Sequence, residues 1–258
     1  LSAGAGTALD TRGTVTAGAI TAGGALVVGA ANAPSLVTLT GAASAQSIRL
    51  LSGGAINTLG LTSTGGNVVI EADGRIDATA ITATGLIDVD STRGGALALG
   101  ILNAGQGITL DTTGGITVAA LAAGGALAVG GVREPAAVTF AGNASARSIT
   151  VDVTGAFVGQ NLSATAGGID IDAATITAAA LAATGGGATL LTTGNVTTAA
   201  INTTGAIDVD STAGGAFNLG ALTSGAGITL DTTGTITAAA IAATGDMVVG
   251  ALRKPAAM

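Results

Sequence analysis

Residues 107–125 read GITLDTTGGITVAALAAGG, and the first eight letters return at residues 227–234. The hexapeptide IDVDST at 87–92 returns at 207–212, so both motifs recur 120 residues further along the chain. A second set of matches is offset by 101 residues. The two offsets differ by 19, which indicates that one unit of about 19 residues was gained or lost between copies. Such self-similarity at a short period is typical of a repeat protein.

The repeating unit can be followed by its first strand residue. Successive starts are 19 to 22 residues apart, and two residues into every unit stands Val, Ile or Leu. The predicted starts are Thr7, Leu26, Ile48, Val68, Ile87, Ile108, Leu127, Ile149, Ile169, Ala188, Ile207, Ile228 and Met247. The extra unit in the longer interval begins near Ala188.

The pattern within a unit is that of strands and turns. Apolar residues alternate with polar ones from Ile108 to Asp111 and again from Ile116 to Val118, and Thr112-Thr113-Gly114 between them predicts a turn. Gly recurs too often for a helix. A unit of about 20 residues cannot bury its own apolar face, so it stacks on its neighbours. The sequence predicts an all-β parallel β-helix, or β-solenoid, of about 13 coils, whose inward columns leave no room for large side chains.

We expect residues 1–258 to form a single continuous solenoid segment with internal modules at about 7–107, 108–227 and 228–258. The first coil starts at Thr7 without a capping element and the last stops at Met258, so strand edges are bare at both ends. We therefore expect a fragment of a longer rod, continued by further coils or by copies placed end to end.

The composition excludes several classes of protein. The chain has no Cys, no His, no Trp and no Tyr. This argues against the usual zinc site, haem, a disulfide framework, a Cys nucleophile and a His-based triad. Eight basic residues and a net charge of −7 argue against a nucleic-acid partner. No run of about twenty apolar residues exists, so we expect no membrane-spanning segment.

Acidic residues recur three positions after the unit start in more than half of the coils. Glu71, Asp90 and Asp111 stand in consecutive coils, and Asp152 with Asp172 and Asp210 with Asp231 stand in adjacent ones. Stacked carboxylates repel each other, and a bound Ca²⁺ relieves such repulsion. The Asp-Thr-Thr-Gly context favours instead an Asp that bonds the backbone of the following turn. We therefore predict no metal site and no cofactor, with the ladder Glu71, Asp90 and Asp111 as the weaker alternative.

Two features of the sequence bear on functions known from the surfaces of other solenoids, carbohydrate cleavage and ice binding. Paired acids also occur in carbohydrate-cleaving solenoids, but scattered basic residues and scarce aromatics argue against an enzyme, and we predict no catalytic residue. Thr-x-Thr triplets at 14–16, 175–177 and 235–237 are the pattern of flat ice-binding faces. Neighbouring coils interrupt the row, for instance with Arg75-Ile76-Asp77, and Thr is also simply a good exposed strand residue. The sequence does not define the residues of a ligand-binding site.

Three longer coils carry Pro34, Pro135 and Pro255, each eight residues into its unit. Pro removes a ladder donor, which predicts bulged loops on one side of the solenoid. These loops are the recurrent protrusions of the chain, and they are either lateral contact points between shafts or tolerated insertions.

Units such as residues 107–125 and GGIDIDAATITAAALAATGG at 167–186 resemble the repeats of the filamentous haemagglutinin family. These are exoproteins of two-partner secretion systems and related large bacterial adhesins, and the resemblance covers nearly the whole chain. It implies a right-handed β-helical shaft, extracellular or on the bacterial cell surface. The family's amino-terminal secretion domain carries Asn-Pro-Asn motifs, which do not occur in this sequence.

These observations lead us to expect a non-catalytic structural shaft of a secreted or cell-surface adhesin or filament. The expected partners are other copies, placed end to end or side by side, and other cells or surface polysaccharide. The alternatives are a ligand-binding solenoid, with ice or polysaccharide on the Thr-rich face, and a self-polymerising filament subunit.

Overall fold

The computed structural model describes residues 1–258, which form two compact units, Leu1–Pro135 and Ala136–Met258. Each unit is an all-β parallel β-solenoid without helices, and the two together have about 12 turns. The predicted fold class is confirmed, and the count is close to the 13 coils expected from the sequence. The right-handed sense of the coil and the three internal modules stay predictions.

The strands of the first unit are β1 Ser2–Ala3, β2 Thr7–Leu9, β3 Thr14–Ala17, β4 Ile20–Ala22, β5 Ala25–Val28, β6 Leu36–Leu39, β7 Ala43–Ala45, β8 Ser47–Ser52, β9 Ala55–Thr58, β10 Leu61–Ser63, β11 Val68–Ala72, β12 Ile76–Ala83, β13 Ile87–Ser91, β14 Leu97–Ala104, β15 Ile108–Thr112, β16 Gly115–Ala123 and β17 Leu127–Val129.

The strands of the second unit are β18 Ala137–Phe140, β19 Ala144–Ala146, β20 Ile149–Asp152, β21 Ala156–Ala164, β22 Ile169–Ala173, β23 Thr175–Ala183, β24 Ala188–Thr192, β25 Val196–Thr203, β26 Ile207–Ser211, β27 Phe217–Ser224, β28 Ile228–Asp231, β29 Ile236–Ala243 and β30 Met247–Val249.

Each coil gives one strand to a first sheet and one or two strands to a second. In the first unit β2, β5, β8, β11, β13, β15 and β17 pair in this order, all parallel. In the second unit β20, β22, β24, β26, β28 and β30 do the same. The register within each unit pairs the predicted starts with one another, for example Ile87 with Ile108 and Ala188 with Ile207. The repeat boundaries read from the sequence are therefore confirmed within each unit.

The second sheet bends within each coil. In β14 the inward positions are Leu97, Leu99, Leu102 and Ala104, so the alternation slips by one residue at Gly100. A Cβ atom at Gly100 would stand 1.8 Å from the carbonyl oxygen of Thr79 in the coil before it. Only glycine lets the two coils stack at that corner.

The core consists of stacked aliphatic side chains, but the expectation that it leaves no room for large side chains is wrong for the second unit. Phe140, Phe157 and Phe217 are all fully buried, so the interior of the second unit does hold large side chains. The rings of Phe140 and Phe157 meet edge to face, with centroids 5.5 Å apart. Gly159 pairs with Phe140 across the ladder, and a Cβ there would lie 2.9 Å from the Phe157 ring. The missing side chain of Gly159 provides the space for the rings.

Buried hydroxyl groups at one position of the coil tie six coils to the coil before them, and alanine takes this position in others, for instance Ala72 and Ala173. The members of this hydroxyl column are Ser52, Ser91 and Thr112 in the first unit and Thr192, Ser211 and Thr232 in the second. Each hydroxyl donates to a carbonyl 17 or 18 residues earlier and accepts from a glycine N–H of its own turn. Thr112, for example, donates to Gly95 O at 2.7 Å and accepts from Gly114 N at 2.9 Å. A buried polar group with both bonds made stabilises the turn and the stack together.

We expect Thr112→Val to lower the free energy of unfolding by about 1–3 kcal/mol, because it keeps the side-chain shape and leaves a half-buried N–H and a half-buried carbonyl without this partner. The midpoint of urea denaturation measures the loss. Thr117→Val, at an exposed strand position, is the matched control and should change the midpoint little. Equal effects of the two substitutions would contradict the role of the hydroxyl column.

Candidate functional site

The acidic residues stack as the sequence predicts. In the first unit Glu71 pairs in register with Asp90, and Asp90 pairs with Asp111. In the second unit Asp152 pairs with Asp172, and Asp210 pairs with Asp231. Carboxylates therefore follow one another on neighbouring strands of the first sheet in both units.

Asp111 holds a loop of the next coil. Its carboxylate is buried, with 4% of the residue exposed, and its Oδ1 accepts from Val132 N at 2.9 Å and Arg133 N at 3.2 Å. The guanidinium of Arg133 reaches back two coils and donates from Nη1 to Asp90 Oδ1 at 2.5 Å. The hypothesis that this Asp bonds its own Thr-Thr-Gly turn was wrong, because the hydroxyl of Thr112 already holds the N–H of Gly114.

The same arrangement recurs in the second unit. Asp231 is 3% exposed and accepts from Leu252 N at 2.9 Å and Arg253 N at 2.7 Å. Arg253 forms an ion pair with Asp210. We call each set of these contacts a loop clamp, and the loops it holds are residues 130–135 and 250–255.

The first unit has a simpler loop clamp at residues 29–34. Asp10 Oδ1 accepts from Ala31 N at 3.0 Å and from Asn32 N at 3.5 Å. Asn32 stands where the later loops carry Arg133 and Arg253, and its amide oxygen accepts from Arg12 Nε at 3.1 Å. The three Pro-containing coils thus share one way of fixing the loop backbone.

The local sequence explains why the chain turns into these loops. The 130–135 loop begins at Gly130 with a φ of 78° and the 250–255 loop at Gly250 with a φ of 68°, a conformation that glycine adopts without strain. Pro34 and Pro135 are buried. The predicted protrusions are therefore real loops, but their exposed tips are the residues before the Pro: Val132 is 78% exposed and Leu252 is 81% exposed.

The role of the two arginines was not predicted from the sequence. Arg133 lies 43 residues after Asp90, and Arg253 lies 43 residues after Asp210. Both pairs are related by the same offset of 120 residues that relates the strand motifs. The repeated spacing of an Asp and an Arg 43 residues apart was the sequence signal for these ion pairs. Recognising it requires the assumption that an arginine side chain can reach across two coils.

Burial and the charges of nearby carboxylates raise the pKa of three aspartates in or beside the ladders. Burial, and then the charges of Asp90, Asp111 and Glu71, raise the pKa of Asp88 above the ordinary Asp value. Burial, followed by Asp210 and Asp231, likewise raises the pKa of Asp208. In the second unit burial raises the pKa of Asp172, with Asp152 and Asp170 adding to it.

At Asp90 and Asp111 protein donors occupy a carboxylate oxygen. No group of three or more His, Cys, Asp or Glu side chains is arranged to hold a metal ion. The positive charge of Arg133 lies next to these carboxylates and reduces their repulsion, which is the role that the alternative hypothesis gave to Ca²⁺.

The Thr-rich face is interrupted, as the sequence suggested. In the first unit one outward column runs through Thr16, Thr38, Asn57, Asp77, Ala98 and Thr117. In the second unit Thr177 and Thr197 are neighbours and Asn218 follows. The charged side chain of Asp77 and the small one of Ala98 break the regular array that an ice-binding face needs.

A groove of about 620 Å³ lies beside this column at the bend of the second sheet in the first unit. Apolar groups form most of its lining, Leu59 among them, and the polar side chains of Thr38, Asn57, Asp77 and Thr79 also line it. Arg75 forms a bidentate pair with Asp77, with both N···O distances at 2.7 Å. The buried hydroxyl of Thr58, which also lines the groove, has no hydrogen-bond partner.

Comparison with known protein families, curated proteins and solved structures gives no match to this chain. The structure contains no helix with the length and apolarity that a membrane crossing needs. A β-solenoid repeat fold is compatible with a structural or a binding role.

We expect Asp88→Asn combined with Asp208→Asn to stabilise the protein at neutral pH. A raised pKa means that the folded state binds the proton more tightly than the unfolded state, so the ionised carboxylate destabilises the fold. The contribution of these two groups to stability therefore rises as the pH falls from the raised pKa toward the ordinary value of 3.8. Thermal midpoints at about pH 7 and about pH 4 measure it, because this interval reaches the ordinary value, and the double variant should show a smaller difference between them. Asp246→Asn, an exposed carboxylate outside the ladders, is the control; an unchanged difference in the double variant would contradict this origin.

We expect Asp111→Ala to release the 130–135 loop while the strand ladders stay intact, since two backbone donors lose their acceptor at a cost of about 1–3 kcal/mol. Hydrogen–deuterium exchange at Val132 and Arg133 reports it directly and should become faster. Asp77→Ala removes an exposed ion pair, with Arg75 59% exposed, and should change exchange at these two amides little. Unchanged protection in Asp111→Ala would show that the clamp does not hold the loop.

Proposed function

We propose that this chain is a non-catalytic structural shaft of a secreted or bacterial cell-surface adhesin or filament. The observation that carries the proposal is the bonding between successive coils within each unit. Backbone ladders join every coil to the next, and the buried hydroxyl column adds side-chain bonds in the same direction. The work proposed for the molecule is to hold other parts of a larger assembly in place.

The arrangement of bonds suits a load-bearing element. In a solenoid almost all contacts of a coil are with its immediate neighbours, so stability is close to a sum of coil-to-coil terms. Aliphatic columns such as Leu26, Ile48 and Val68 are less than 2% exposed, and they exclude water from the bonds around them. Loss of one coil from such a stack removes one set of bonds and leaves the others unchanged.

The resemblance to filamentous haemagglutinin repeats supports the location and the kind of protein. Its Gly-, Ala- and Thr-rich units have the period and the inward aliphatic positions found here. With 9% charged residues and a net charge of −7, the surface presents few charges through which a solvent-exposed shaft would bind polyanions.

The first test is where the native protein resides. We expect antibodies against this chain to label intact cells of its source, and we expect external protease to remove the label. Labelling that appears only after the cells are opened would contradict the proposal.

The second test is the tolerance of the shaft to a change of length. Deleting residues 188–206 joins Gly187 to Ile207 and removes one coil in register, because Ile169, Ala188 and Ile207 occupy the same column. We expect the shortened protein to fold with a circular-dichroism spectrum of the same shape and to keep its surface assembly. A deletion of ten residues in the same place breaks the register and is the matched control. Loss of folding in the 19-residue deletion would contradict a modular shaft.

The groove in the first unit favours a second candidate, binding of a neutral oligosaccharide. Hydroxyl groups of Thr38 and Thr79 and the amide of Asn57 offer donors and acceptors along several coils, beside the apolar surface of Leu59. Pockets of this volume with a few polar groups are typical of small-ligand sites. Calorimetric titration with a panel of neutral oligosaccharides tests it, and binding that survives Asn57→Ala and Thr38→Ala together would place the ligand elsewhere.

A further inference from the structure

The two arginine-bearing loops present the same pair of side chains outward. In the 130–135 loop Arg133 turns in toward Asp90, which leaves Val132 and Glu134 exposed on either side of it. In the 250–255 loop Arg253 turns in toward Asp210 and leaves Leu252 and Lys254 exposed. Each loop therefore shows one aliphatic and one charged side chain to solvent.

The charges at these tips are opposite. Glu134 and Lys254 occupy equivalent positions, and Lys254 is the only lysine of the chain. In a chain with so few charged residues, a carboxylate and an ammonium at matching positions of two repeated loops form a complementary pair.

The 29–34 loop shows that the clamp does not need these side chains. It carries Ala31 and Ala33 at the two outward positions and is held by Asp10 through the same backbone donors. Val132, Leu252, Glu134 and Lys254 are therefore additions to a loop that forms without them.

We propose that the 130–135 loop of one copy docks onto the 250–255 loop of a second copy of this chain. Val132 packs against Leu252, and Glu134 pairs with Lys254. The proposal deepens the structural role proposed above, because it names the partner and the contact by which shafts pack side by side.

Complementary charge selects this pairing over the two alternatives. Two 130–135 loops would bring glutamates together, and two 250–255 loops would bring lysines together, both of which are repulsive. The contact is thus heterologous, and each copy offers both halves of it. Heterologous contacts that do not close into a ring extend into larger arrays.

The clamps favour binding by fixing the tips in advance. Two backbone N–H groups and one arginine hold each loop, so little conformational freedom is lost when a partner docks. One aliphatic contact and one exposed ion pair form a weak bond. Many such contacts along neighbouring shafts add up through their effective concentration.

Covalent trapping tests the contact. A mixture of ¹⁵N-labelled and unlabelled full-length chain is treated with a carbodiimide, which activates the Glu134 carboxyl; the Lys254 amine then displaces the urea and forms an amide. Because the chain has a single lysine, every lysine cross-link reports Lys254. We expect a Glu134–Lys254 cross-link in peptides of mixed label, which proves that it joins two copies, and a lower yield as salt is raised.

Charge variants separate a specific contact from random collision. Glu134→Lys alone should lower self-association about tenfold, as measured by the concentration dependence of light scattering. Glu134→Lys combined with Lys254→Glu restores complementarity and should restore both the association and the cross-link. The absence of a mixed-label cross-link, or a double variant as weak as the single one, would overturn the proposal.

A matched variant copies the 29–34 loop, which has alanine at both outward positions. Replacing Val132, Glu134, Leu252 and Lys254 by Ala gives both loops the outward residues of the 29–34 loop and leaves every clamp in place. We expect its self-association to fall to background while its thermal unfolding is unchanged. Association that persists would overturn the loop contact without bearing on the shaft, whereas loss of surface location in the native protein would contradict the shaft without bearing on the contact.

Discussion

The backbone hydrogen bonds between successive coils impose the constraint on which the rest of this structure depends. Strands in a ladder stand about 4.8 Å apart, so every residue of a coil meets its counterpart in the next coil at that distance. Large residues, charges and loops are then acceptable only where the neighbouring coil offers space or a partner. Three features meet this requirement: Gly100 at the bend, Gly159 beside the phenylalanines and the buried hydroxyl groups.

The same spacing explains why the acidic ladders and the loops belong together. Carboxylates at successive positions of a ladder repel each other. Burial first, and then the charges of these neighbouring carboxylates, raise the pKa values of Asp88 and Asp208. An arginine two coils away offsets the repulsion at Asp90 and Asp210, and the buried Asp111 and Asp231 hold the loops that carry those arginines. The pairs Asp90–Asp111 and Asp210–Asp231 are therefore best understood as anchors for the loops.

The fold could be predicted from the sequence because, in a solenoid, the spacing of the repeats determines which residues of neighbouring coils pair. The unit starts, the inward aliphatic positions and the stacking of Glu71 on Asp90 follow from residue spacing alone, and the structure confirms them within each unit. The partners of the carboxylates did not follow in the same way. Asp111 bonds residues 21 and 22 positions later, and the turn next to it was the nearer and chemically reasonable choice. Phe140 and Phe157 were missed because the space they fill depends on a single glycine, Gly159, which lies in the strand of Phe157 and pairs with Phe140.

The division of each loop into inward and outward residues follows from the clamp. Once the N–H groups of residues 132 and 133 point at Asp111 and the arginine turns back to Asp90, the side chains at 132 and 134 have no interior left to enter. Their identity is then free of any demand from the fold, as the alanines of the 29–34 loop demonstrate. Each of the two loops nevertheless carries an aliphatic residue next to a charged one, and the charges of Glu134 and Lys254 are opposite. Because the fold does not require these side chains, their complementarity is best explained by a contact between copies.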